Sequence, residues 1–298
     1  MYPTAKALIE AVETSKKTMG RLVLEEEMRR FGTKEEEILD GLREVLKVME
    51  ESTNSTLEEA GKPSIGGIDG NAKRMMDFED SLCGRPLVET MAWAFSTFES
   101  NAAMGKIVAA PTAGSSGIMP SAVRAAKEHL HATEDQLLEG LLVATGIGQM
   151  IGMYATFAGA EGGCQAECGS AASMAAGFLA SVRGADVATI LEAASLALIN
   201  VLGLVCDPIG GFVEYPCAYR NASGAVNAML STDLAMAGCK SIVPFDEVCQ
   251  AMGEVGRAMN ENLRETGTGG LAATATGSRL RTMFLQKGMA CSHKRDQI

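Results

Sequence analysis

Charge is so scarce in the middle of this chain that the scarcity fixes the architecture. Of 63 Asp, Glu, Lys and Arg residues in the 298, 33 lie at positions 1–100, 15 at 101–232 and 15 at 233–298. A stretch of 132 residues with 15 charges is an interior, and the flanking segments must supply the polar shell around it. No proline- or serine-rich linker separates the zones and no fixed-period repeat runs through them. The expectation is one domain over 1–298, with 1–63 as a polar helical N-terminal part and 281–298 as a flexible tail.

The residues available to fill that interior favour helices. Aromatics make up 5%, whereas there are 33 Gly, 18 Met and abundant Ala, a poor supply for stacked sheets and a good one for closely packed helices. The predicted fold is therefore mainly α, a single helical domain with an apolar Gly/Ala-rich centre. With 26 basic and 37 acidic residues the net charge is −11, which argues against nucleic acid or an anionic membrane as partner. The N-terminal Met1-Tyr2-Pro3-Thr4-Ala5-Lys6 lacks the apolar stretch of a secretory signal. The reading that follows is a cytoplasmic protein whose eight cysteines are free thiols, redox groups or metal ligands.

Local signals mark several helices. Thr33 with Glu36 has the capping-box spacing, and Ile38, Leu42, Val45 and Met49 then recur at helical period. Thr133 with Gln136 repeats the box before an uncharged run from Gly140 to Ala160. That run has the length of a membrane span, but its glycines, Gln149 and threonines and the lack of flanking Lys or Arg point to a buried central helix. Further helices are predicted over Ser170–Val182 and Ala188–Leu204. Ser64 to Asn71 is glycine-rich loop text, suited to close backbone approach to a ligand.

Three Gly- and Pro-bearing segments interrupt the apolar centre. They run from Asn101 to Gly117, from Glu161 to Ser170 and from Cys206 to Cys217, and each reads as a loop. Irregular backbone inside a low-charge core needs partners for its N–H and C=O groups, so three such breaks indicate a bound polar or inorganic ligand. Cys164, Cys206 and Cys217 sit in these breaks, whereas Cys83, Cys239 and Cys249 lie in ordinary text. Three thiolates suit an iron–sulfur cluster with one iron left open as a Lewis acid. Buried structural cysteines are the competing reading, and Cys168, four residues from Cys164, is a rival ligand. Zinc is disfavoured because the three His residues, at 129, 131 and 293, lie away from these segments. His129 and His131 fall at a polar helix end and read as solvated.

The segments Asn-Ala-Ala-Met-Gly-Lys-Ile-Val-Ala-Ala-Pro-Thr-Ala-Gly, Glu-Gly-Gly-Cys-Gln-Ala-Glu-Cys-Gly-Ser-Ala and Leu-Val-Cys-Asp-Pro-Ile-Gly-Gly-Phe-Val-Glu-Tyr-Pro-Cys carry a family resemblance. Together with Arg220-Asn221-Ala222 and the run from Arg264 to Gly277, they resemble the alpha chain of iron–sulfur-dependent L-serine dehydratase, or L-serine ammonia-lyase. The likeness extends from about Ser64 and covers most of the chain. It implies a helical catalytic subunit that converts L-serine to pyruvate and ammonia through an aminoacrylate, a step in amino-acid catabolism and gluconeogenesis. It also implies an oxygen-sensitive 4Fe–4S cluster held by Cys164, Cys206 and Cys217, with Cys168 not a ligand.

In such two-chain enzymes a separate beta chain completes the site, and the family's candidate base is a histidine in a Ser-Ser-His-Thr type segment of that chain. No such segment occurs here. Lys106, Thr112 and Ser115 are the residues expected to hold the substrate carboxylate. Pyridoxal phosphate is disfavoured because nothing around Lys106, the one lysine in the three segments, resembles a pyridoxal motif. Cys291 departs from the family pattern: single-chain relatives place a terminal cysteine on the free iron, but here it precedes the end by seven residues. The alternatives carried forward are a related lyase for cysteine or threonine and a non-catalytic structural paralogue.

Overall fold

The computed structural model describes residues 2–59 and 68–295, with side chains as far as Gln286. Among the described residues there are thirteen α-helices and no strand, as the composition predicts. The helices are α1 (Ala5–Ser15), α2 (Met19–Phe31), α3 (Glu35–Asn54), α4 (Asn71–Met76), α5 (Gly84–Ala102), α6 (Ile118–His129) and α7 (Glu134–Tyr154). They continue with α8 (Gly159–Gly162), α9 (Ser170–Val182), α10 (Val187–Ile199), α11 (Cys217–Met236), α12 (Phe245–Ala258) and α13 (Ala275–Arg295).

Helix α9 is the centre, packed by α6, α7, α10 and α11. Small residues set how closely these helices approach. Gly140 of α7 faces the Phe178 ring of α9, where a Cβ would fall 2.6 Å from Cδ2, and Gly177 of α9 leaves room for Ile147 of α7. Polar side chains at the same contacts are satisfied across helices: Ser173 Oγ donates to the Ala194 carbonyl at 2.9 Å and Thr232 Oγ1 to that of Ala176 at 3.0 Å. Helix α7 is long and apolar enough to cross a membrane by length alone, but 67% of its apolar window is buried against neighbouring helices. It is the predicted core helix, and it stops at Tyr154, short of Ala160.

The Thr133 box forms as predicted, Gln136 N donating to Thr133 Oγ1 at 3.3 Å and Thr133 N to Gln136 Oε1 at 2.9 Å. The Thr33 box does not. Helix α3 begins one residue later, with Lys34 N donating to Glu37 Oε2 at 3.4 Å, so that Glu37 and not Glu36 closes back on the helix start. The stripe behind it is core: Met49 is buried and Ile38, Leu42 and Val45 pack against buried clusters. Within the glycine-rich run, Ser64–Gly67 lie outside the described residues; Ile68 is buried and Gly70, at φ 78°, precedes α4.

His129 corrects its expectation. It is half-buried, its ring 5.6 Å from that of Trp93 and its Nε2 3.2 Å from Glu89, while His131 is exposed. The chain past Arg281 continues as helix α13 to Arg295, and Phe284 meets Phe212 edge-on at 6.2 Å. The side chains of Cys291 and His293 lie outside the described residues.

Candidate active site

The three interrupting segments meet beside the N-terminal ends of α9 and α11. The first and third are irregular as predicted: residues 103–112 lead into a 3₁₀ turn at Ala113–Ser115, and Cys206 leads through a turn at Ile209–Gly211 to α11. The middle one is not a loop. Gly163, at φ 75°, breaks the chain after α8, and a π-helical turn over Gln165–Gly169 runs straight into α9.

Cys164, Cys168, Cys206 and Cys217 are all buried, and no disulfide joins described residues. The Cys164 and Cys168 sulfurs lie 3.4 Å apart. The hydrogen bond from Cys168, with the positive charge of Arg220, holds the Cys164 thiol below its ordinary range. Burial pushes the Cys206 and Cys217 thiols well up, and the charges of Cys164 and Glu167 push them the same way. These four groups therefore occupy one electrostatic neighbourhood in which each further anion is unfavourable, the condition that a bound cation relieves. Cys83 and Cys239 are exposed, and Cys249 is buried in α12 under the raising influence of Asp246.

Hydrogen bonds fix the segments to one another. Asn221 of α11 donates through Nδ2 to the carbonyls of Gly114 (2.8 Å) and Cys217 (2.9 Å) and accepts from Gly117 N at 2.8 Å. Arg220 donates to the Val205 carbonyl at 2.7 Å and to Asp207 Oδ1 at 2.6 Å, and Asp207 Oδ2 accepts from Leu271 N at 2.7 Å. Cys206 itself is bracketed by backbone bonds, its N–H to the Leu263 carbonyl and its carbonyl from Glu265 N. The run from Arg264 to Gly277 is thereby tied to the cysteine segment, and Glu265 sits there at φ 63°, a conformation costly for a non-glycine residue.

Of the predicted carboxylate-holding residues, Thr112 and Ser115 reach this site and Lys106 does not. Thr112 Oγ1 lies 3.0 Å from Glu167 Oε1 and 3.1 Å from Ser115 Oγ. Lys106 is exposed, and its ammonium has no hydrogen bond or ion pair with a described residue. Glu167 went unremarked in the sequence reading. Burial pushes its carboxyl up to about 7; the Thr112 hydroxyl opposes the shift and the charge of Glu265 adds to it. Arg220, Asn221 and Asp207 were likewise assigned no role. A usable signal existed, because Glu161, Glu167, Asp207, Glu214 and Arg220 are five of the fifteen charges in 101–232 and all fall in or beside two of the interrupting segments.

Among the described residues, no three His, Cys, Asp or Glu side chains close around a single metal ion. A cube of iron and sulfide spreads its thiolates more widely than one ion does, and the donor set suits it: three buried thiols from two of the segments, all soft ligands. The space beside them is kept by glycine. A Cβ at Gly159 would fall 3.2 Å from Cys206 Sγ and 2.8 Å from Glu167 Oε2.

Comparison with known proteins agrees with this arrangement of motifs. The family model for the serine dehydratase alpha chain matches residues 14–272. The chain belongs to the serine dehydratase alpha chain family. It is 53% identical over 291 residues to the L-serine dehydratase alpha chain of Peptoniphilus asaccharolyticus, covering 97% of this chain and 100% of that one. A probable L-serine dehydratase alpha chain of Bacillus subtilis is 41% identical over 284 residues, 94% of each chain. The L-serine dehydratase of Streptomyces coelicolor is 37% identical over 284 residues, but these are 91% of this chain and 61% of that longer protein. Within the serine dehydratase family, then, this chain matches the two proteins named as alpha chains over nearly their whole length and the longer L-serine dehydratase over 61% of it.

Proposed function

We propose that this chain is the catalytic alpha subunit of an L-serine ammonia-lyase, working in the cytoplasm with a separate beta chain. Cys164, Cys206 and Cys217 would hold a 4Fe–4S cluster. The observation that carries the reading is the meeting of three buried thiols, from two of the interrupting segments, with the Thr112–Glu167 contact that ties in the remaining segment, packed closely against Gly114 and Gly159. Fold, motif and relatives all point to the same chemistry.

Eliminating water from serine requires removal of a weakly acidic α-proton and expulsion of hydroxide, a poor leaving group. When bound, the cluster supplies an iron with an open position that binds and polarises the substrate hydroxyl. The chain's own residues do the rest of the holding. Burial among α9, α10 and α11 excludes water from the sulfurs, Asn221 locks the first segment against Cys217, and Thr112 and Ser115, 3.1 Å apart, stand beside Glu167 at the site. We assign the α-proton acceptor to the beta chain, as the family resemblance implies; in this chain His129 Nε2 lies 3.2 Å from Glu89 and His131 is exposed.

The test is an anaerobic purification of the chain with and without its beta chain, followed by iron and sulfide analysis and an assay of pyruvate release. Expected are about four irons per chain, turnover of L-serine ahead of threonine or cysteine, and poor turnover by the alpha chain alone. A protein that takes up no iron when made with its cluster-assembly machinery would overturn the reading.

A further inference from the structure

We infer that Glu167 receives the α-ammonium group of the amino-acid substrate and so sets the enzyme's preference for amino acids over hydroxy acids. The inference rests on the lyase reading above and adds the residue that recognises the amine.

Glu167 is half-buried and, like Asp246 and Glu99, has neutral donors and no cation; what sets it apart from those two is that it meets Cys206 at Gly159. Asp207 is matched by Arg220 and by Leu271 N, Asp246 accepts from Ala5 N at 2.9 Å, and Glu99 accepts from Ala72 N at 3.0 Å. Glu167 has one donor, the Thr112 hydroxyl on Oε1, and no Lys, Arg or His pairs with it among the described residues. Taking a carboxylate out of water with one neutral donor is costly, and the cost is recovered when a cation arrives.

Its position selects which cation. Cβ atoms built at Gly114 and Gly159 would fall 2.9 Å from Oε1 and 2.8 Å from Oε2, and the latter also 3.2 Å from Cys206 Sγ. Carboxylate and sulfur thus meet over Gly159, whose lack of a side chain lets the two lie together. In serine the hydroxyl to be expelled and the amine stand on adjacent carbons, so a substrate whose hydroxyl reaches the cysteine-held centre carries its ammonium into reach of Glu167. The ammonium brings donors and no acceptors, complementary to the oxygen that Thr112 leaves open. Thr112 is a positioning residue here: its single hydroxyl proton goes to Glu167, and Ser115 Oγ, 3.1 Å away, can donate to Thr112 in turn.

The test uses the cluster-loaded complex with the beta chain, kept anaerobic, and compares L-serine with 3-hydroxypropanoate, which lacks only the amine. Binding is read from the ligand-induced change in the cluster's visible and paramagnetic resonance spectra, beside KM and kcat. Wild-type enzyme should prefer L-serine by at least about 100-fold, because a site built for a polar group rejects the analogue that leaves it unpaired. Glu167→Gln should weaken L-serine about 100-fold while 3-hydroxypropanoate binds within about threefold of wild type, with iron content and the ligand-free spectrum unchanged. Glu167→Asp, which keeps the charge on a shorter arm, should recover part of the preference. If Glu167→Gln keeps the full preference, or weakens both ligands alike with an altered ligand-free spectrum, the assignment is wrong although the lyase reading stands. If the wild-type complex binds neither ligand, the lyase reading itself fails and the assignment with it.

Discussion

The polar helices of the first hundred residues and the junction around the cysteines handle charge in opposite ways. In the shell, charges are plentiful and meet one another in water: Arg21 bridges Glu25 and Glu35 at 2.9 and 2.8 Å, and Arg43 bridges Asp40 and Glu134 at 2.6 and 2.9 Å, all with substantially exposed side chains. Such pairs cost little to make and contribute little. At the junction charges are few, buried and specific. Arg220 with Asp207 is nearly out of solvent, and Glu167 sits among four thiols with one hydroxyl for company. The first pattern is what solubility and folding require; the second stores unfavourable electrostatics that only a ligand relieves, which is how a functional site differs from a surface.

The sharpest way to break that contrast is to remove sulfurs from each region. Cys164→Ser, Cys206→Ser and Cys217→Ser should each abolish the brown absorbance of the anaerobic protein and its serine-dependent pyruvate release. Cys239→Ser, at an exposed position, should leave both intact. Equal losses across all four variants would show that the buried trio has no special standing. Cys168→Ser is the informative intermediate, because its sulfur lies 3.4 Å from that of Cys164 without belonging to the proposed ligand set. Retained iron with an altered cluster spectrum is expected there, as for a lost hydrogen bond to a ligating sulfur.

Next in size is the cost of breaking one ion pair in each region. Asp207→Ala leaves the Arg220 charge buried without its carboxylate and frees Leu271 N, so a loss of about 3–5 kcal/mol is expected, read as a lower urea midpoint of the unfolding transition. Arg43→Ala, which breaks two exposed pairs, should leave the midpoint where it was. If the two variants unfold alike, burial is not what separates the regions.

What could be read from the sequence follows the same division. Helix α9 spans the predicted Ser170–Val182, and the Thr133–Gln136 box forms, because both depend on residues within a few positions of one another. That the three interrupting segments, two of them bearing cysteines, share one site was legible as an expectation from motif and glycine content. The role of Glu167 was not, since its meaning depends on Thr112, 55 residues away, and on the missing side chains of Gly114 and Gly159. Lys106, drawn to the site by its place in the motif, is instead exposed, because the chain after α5 runs over the surface before Thr112 turns inward. Proximity in sequence drew in a lysine that the fold leaves exposed, and distance in sequence hid the glutamate.

A third kind of charge, exposed yet hydrogen-bonded, lies between the two patterns and gives the smallest predicted effect. Asp186 caps α10, its Oδ1 accepting from Thr189 N at 2.8 Å. That backbone bond holds the carboxyl below its ordinary value. A carboxyl depressed in the folded state contributes stability above its unfolded value, about 3.9, and loses it as pH falls through the lower folded value. Asp186→Ala should therefore cost about 1 kcal/mol near neutrality, the usual worth of such a cap. The penalty should shrink below about pH 4, where the wild-type carboxyl takes up its proton. Asp186→Asn keeps a cap acceptor that does not titrate, so its stability relative to wild type should rise as the pH falls. Urea midpoints at pH 7 and pH 3 for the three proteins separate the hydrogen bond from the charge. A penalty for Asp186→Ala that is the same at both values would mean that the charge contributes nothing, and that exposed carboxylates here stabilise only as acceptors.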